Sequence, residues 1–127
     1  MKTVAEITNN MAYAIGTEGY TRHFTGLIFT DGVKQLRQDA DAFWLVDAIA
    51  SYQHKLKKVE FQVWELQVNL ETKKAVLTMS IDSDKPYFVT QKIPYTDFPL
   101  KTVKFHVRLG SLDGYNPAWV LMLPSED

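Results

Sequence analysis

A chain of 127 residues, 46% of them hydrophobic and 23% charged, has the bulk for one packed core and little room for a second. A formal charge of −1 supplies no global pull toward nucleic acid or an anionic membrane. The lack of cysteine excludes disulfides, thiolate metal sites and cysteine nucleophiles.

Helical spacing of Val4, Ile7, Met11 and Ile15 predicts a first helix over 3–15, with Thr3 as N-cap, Glu6 completing a capping box and Gly16 as the stop. A Gly- and Thr-rich loop follows over 16–26, then a short buried strand or anchored loop at 27–29. Thr30 caps a second helix over about 31–39, with Val33 and Leu36 on its apolar face. The stretch 41–53 predicts a third helix that is apolar almost all round, so it is expected to be covered on most sides by its own chain. A break near 39–41 separates the two, with Asp39 or Asp41 as the cap of the third helix. Lys55, Lys57 and Lys58 complement its C-terminal dipole.

After Lys58 the apolar period changes to two. Val59, Phe61 and Val63 alternate with polar residues, and then the phase slips to Trp64, Leu66, Val68 and Leu70, the signature of a β-bulge. Turns at 71–74 and 82–86 bound strands at 75–81 and 87–93. The Pro-rich loop 94–100, with Tyr95, Phe98 and Pro99, reads as a cover over the core, or else as a partner-docking surface. Strands at 103–109 and 119–123 flank a segment holding Asp113 and Gly114. Helices first and strands afterwards predict an α+β fold, N-terminal helices packed on one face of an antiparallel sheet of about five strands.

Three groups offer chemistry. Asp47 stands in the apolar helix and is either a buried acid with a raised pKa, or a carboxylate that points to a gap or the surface or accepts a hydrogen bond from a loop amide or Arg22. Arg22 and His23 either bind an anion and carry a proton or tie their loop to the helices. For both, the structural reading is favoured. Lys104, His106 and Arg108 form a basic stripe that could meet nucleic acid beside Trp119 or Tyr115, but that more often is a solvated sheet face. No metal-ligand spacing, phosphate loop, dinucleotide fingerprint or nucleophile elbow is present, so no catalytic residue, metal or cofactor is assigned.

Four motifs taken together, TDGV at 30–33, WLVDAIASYQ at 44–53, IPYTDFP at 93–99 and LPSE at 123–126, resemble a family of small uncharacterised proteins of bacteria, phages and plasmids. The resemblance runs from about Thr17 to Glu126 and implies a bacterial cytoplasmic domain of unknown function. It carries no functional residues with it.

The expectation is therefore a single domain over 1–127. No secretory signal is visible, and the longest apolar run, 42–46, cannot span a bilayer, which fits a soluble cytoplasmic protein. The favoured role is a non-enzymatic interaction or accessory protein with a protein partner or a second copy of itself. The alternative is a small enzyme or ligand-binding domain whose pocket lies between the central helix and the sheet, using Arg22, His23 and Asp47. Nucleic-acid binding ranks third, and membrane binding is not expected.

Overall fold

The computed structural model describes residues 1–12, 19–82, 86–111 and 115–127. Helix α1, Val4–Ala12, opens on the expected capping box, Thr3 Oγ1 accepting from the Glu6 amide at 3.2 Å and Glu6 Oε1 from the Thr3 amide at 3.3 Å. Ile7 carries its buried stripe. Ile15 and Gly16 lie outside the described residues, as do Asp113 and Gly114 and most of the 82–86 turn.

Strands β1, Tyr20–Arg22, and β2, Ile28–Thr30, form an antiparallel hairpin where a loop was expected at 16–26. Three residues are too few to display a period, so β1 owes its conformation to β2 beside it. Thr30 then caps α2, Asp31–Asp39, its Oγ1 accepting from the Val33 amide at 3.4 Å.

Asp41, at φ 49°, breaks the chain before α3, Phe43–Tyr52. Neither Asp39 nor Asp41 caps α3; its N-cap is Ala42, with no side-chain bond. Asp39 turns the other way, accepting from Asn10 on α1 and from Gln35 one turn back on its own helix. Helix α3 is covered on most sides, as expected, with Trp44, Ala48 and Tyr52 half-buried against the core. Leu45, Val46, Ile49 and Ala50 are buried, while Phe43, Asp47 and Ser51, a turn apart, face out. A 3₁₀ turn, Gln53–Lys55, follows.

The second half supplies β3, Phe61–Val68, β4, Ala75–Ser80, β5, Val89–Ile93, β6, Thr102–Gly110, and β7, Ala118–Met122. Among the described residues they join the hairpin in one seven-stranded sheet of order β1-β2-β7-β6-β3-β4-β5, all antiparallel except β2 against β7. Seven strands replace the expected five because the hairpin docks on β7.

The expected bulge in β3 is absent. Pairing with β6 runs without a slip from Phe61↔Arg108 to Gln67↔Thr102. Gln62, not Phe61 or Val63, shares the inner face with Trp64, Leu66 and Val68. This glutamine is 0% exposed. Its amide exchanges 2.9 Å bonds with that of Gln53 and accepts the Trp64 indole N–H at 2.8 Å. A polar residue so fully answered can occupy an apolar position, which is how it disguised the strand's phase. Inner residues of β3, β4, β6 and β7 form one cluster with Phe29 and the apolar faces of the three helices. Phe98 is buried against the same cluster, as the cover reading of 94–100 requires.

Candidate functional site

The β1–β2 turn is where the candidate residues meet. His23 is 5% exposed, and its ring is held on both nitrogens. Nε2 lies 2.7 Å from Asp47 Oδ1 and Nδ1 lies 2.8 Å from Thr25 Oγ1. The Thr25 amide also points at Nδ1, at 3.2 Å. A backbone amide has only a proton to give, so Nδ1 is an acceptor and the ring proton of the neutral imidazole sits on Nε2, donated to Asp47. The turn closes through the Gly26 amide donating to the His23 carbonyl at 2.9 Å, with Gly26 at φ 98°, a conformation that glycine adopts without strain.

Asp47 is therefore not a buried acid. Its side chain is 54% exposed, and it anchors the turn to α3. Arg22 points to solvent on β1 and joins no ion pair among the described residues. Asp47, His23 and Thr25 make a carboxylate–imidazole–hydroxyl chain, but the two amides nearest the hydroxyl are spent within the turn. This chain of bonds clamps the turn to α3.

Beside the clamp lies a cleft of about 410 Å³ between the turn and the end of α3. Leu27, Ala50 and Trp119 supply its apolar wall. Thr25, His54 and Lys57 supply polar edges, and among the described residues no carboxylate lines it. Sequence reasoning assigned Lys57 to the helix dipole and passed over Thr25 and His54 as site residues. A signal was present, since Asp47, Ser51 and His54 recur at helical spacing on an otherwise apolar segment.

The basic stripe on β6 is answered internally. Arg108 donates to Asp127 through Nε at 2.9 Å and a terminal nitrogen at 3.0 Å, with His106 Nδ1 2.8 Å from the same carboxylate. Lys104 pairs with Glu65 at 3.7 Å. The Arg108 bond and the nearby His106 hold the Asp127 carboxyl below its ordinary value despite some burial. Arg108 and His106 both pack on the Phe61 ring. Each cation of the stripe thus has a carboxylate beside it.

Two of the four motifs prove to be halves of one contact. Glu126 Oε1 accepts from Thr30 Oγ1 at 2.6 Å, and its Oε2 accepts from the Gly32 amide at 3.2 Å. The carboxylate thus sits on the positive end of α2 and ties the last turn of chain to it. A Cβ at Gly32 would stand 2.6 Å from Glu126 Oε1, which explains the glycine. In the third motif, the Thr96 amide bonds the Lys73 carbonyl and Phe98 fills the core. The fourth holds Asp47 of the clamp and Gln53 of the buried amide pair.

Among the described residues, no helix is long and apolar enough to cross a membrane, and no three His, Asp or Glu side chains gather as metal ligands. The fold and these tie points define an α+β protein with a mixed seven-stranded sheet. The chain belongs to the family of unknown function DUF6876, whose model matches residues 5–127, the relationship its four motifs implied. No curated protein and no solved structure matches it.

Proposed function

We propose that this chain is a single, non-enzymatic binding domain that takes a small ligand in the cleft between the β1–β2 turn and α3. The observation that carries the reading is the His23 clamp, which fixes the rim of an open, mostly apolar cleft before any ligand arrives. A preformed cavity of a few hundred cubic ångströms with few polar groups is the usual form of a small-molecule site. The lack of cysteine and the resemblance carried by the motifs support a bacterial cytoplasmic setting.

A fragment titration followed by backbone amide shifts tests this. Hits are expected to move Thr25, Gly26, Ser51 and Trp119 together; hits that scatter, or that gather on the outer face of β6, overturn the reading. For the non-enzymatic part, p-nitrophenyl acetate is the probe. Wild type and Thr25→Val should show the same background hydrolysis, whereas acylation dependent on Thr25 would contradict it.

One observation favours a second reading, docking of another copy of the chain. Phe24, next to the clamp, is 90% exposed on a turn whose backbone is held. Burial of such a ring accompanies association more readily than folding. Sedimentation at rising concentration should then show a dimer that Phe24→Ser abolishes; a monomer at all concentrations removes the support.

A further inference from the structure

Among the described residues, the cleft carries positive charge with no carboxylate paired to it. Lys57 and His54 line it, and Lys55 and Lys58 flank Lys57 on the surface. Among the described residues none of these four is in an ion pair, whereas Lys2, Lys104 and Arg108 each have a carboxylate partner.

An inventory of the remaining polar groups points the same way. The Gln53 amide is used by the Ile49 carbonyl and by Gln62. The Ser51 hydroxyl gives its proton to the Ala48 carbonyl at 2.6 Å. Asp47, the nearest carboxylate on α3, already faces the His23 N–H. What is left over is cationic Lys57, the His54 ring and the indole of Trp119, which lines the cleft from β7.

On the reading of the cleft as a ligand site, we propose that its ligand is a small organic anion built on a flat ring. The ring lies against Trp119 with Leu27 and Ala50 beneath it. The anionic group, phosphate or carboxylate, meets the Lys57 ammonium with His54 beside it. Lysine serves here as a point charge, which accepts either kind of anion, while stacking on an indole selects for a planar π-face. The two features are separable, one electrostatic and one apolar, and so are their tests.

The experiment is an NMR titration of the whole chain with two matched pairs of probes, AMP with adenosine and indole-3-acetate with indole-3-acetamide. The Trp119 indole N–H and the Thr25 and Gly26 amides are the reporters. In each pair the charged member should bind more tightly, by about threefold to fivefold, the size of one exposed charge pair. Added salt should erase that advantage. Lys57→Glu, at an exposed position, should remove it without altering affinity for the neutral members. Inorganic phosphate alone should bind more weakly than AMP. If neither charged probe outbinds its neutral partner, the anion assignment fails while the cleft stands. If phosphate matches AMP, the ring assignment fails. If no probe moves the reporters, the cleft itself is not a ligand site.

Discussion

Asp39 is 3% exposed, and for a carboxylate that burial has to be matched by bonds. Burial alone would raise its pKa, but bonds from Asn10 and Gln35 and the charge of Lys2 outweigh this and hold it below its ordinary value of 3.8. A depressed folded value means the stabilisation is complete above the unfolded pKa and is lost as pH falls through the folded one. The gap in urea midpoint between wild type and Asp39→Asn should therefore be constant from neutral pH down to about pH 4 and close below it. A gap that widened in acid would contradict the assignment. Gln62 makes a sharper case, because removing it takes bonds from two partners. Gln62→Ala should cost about 2–4 kcal/mol in denaturant unfolding, since the Trp64 N–H is left buried and unpaired and the half-buried Gln53 amide keeps only its bond to the Ile49 carbonyl. A cost under about 1 kcal/mol would mean the pair is not formed.

Helix α2 shows how an element of nine residues is stabilised from far along the chain. Thr30 caps it locally, as the sequence announced, but Glu126 supplies a second acceptor and a negative charge across 94 residues. Glu126→Ala should destabilise by about 1–2 kcal/mol, the range of a lost cap and dipole partner. Gly32→Ala pushes the same carboxylate aside, so it should cost a similar amount. The double variant should cost clearly less than the sum, because both changes remove one contact. Strict additivity, measured by equilibrium unfolding, would separate the two residues. The hairpin β1–β2 is held in the same remote manner, with β7 on one side and the His23–Asp47 clamp at its tip. His23→Ala should loosen the hairpin before the rest. Its amides should exchange faster while those of β3 keep wild-type protection.

At the scale of the whole molecule, the sheet has a long centre and short margins. β6 and β3, nine and eight residues, lie in the middle, and three-residue β1 lies at one edge. Central strands with every ladder bond made should open only with global unfolding, whereas an edge strand frays. Native-state hydrogen exchange should accordingly rank β3 and β6 slowest and β1 fastest among the strands. Slow exchange throughout β1 would mean that something else covers that edge. On the outer face the stripe of cations on β6 is bound to Asp127 and Glu65.

By itself the sequence determined whatever rests on neighbours along the chain. The capping box at Thr3 and Glu6, the Thr30 cap and the one-sided alternation of β6 all follow from residues within a few positions of one another, whereas the order of helices before strands does not hold, because the β1–β2 hairpin intervenes between α1 and α2. Its error at Gln62 has the same origin, because periodicity treats a glutamine as polar wherever it stands, and only Gln53 and Trp64 make the inner position habitable. Tertiary structure alone decided that Asp47 meets His23 rather than the core, that Glu126 sits on α2, that β2 runs parallel to β7, and that Trp119 and Lys57 border one cleft. These pairings join residues from 24 to 96 positions apart. The reason is physical: a hydrogen bond or a shared cavity wall depends on distance in space, and local pattern constrains that distance only as far as the next turn of helix or the next pair of strand residues.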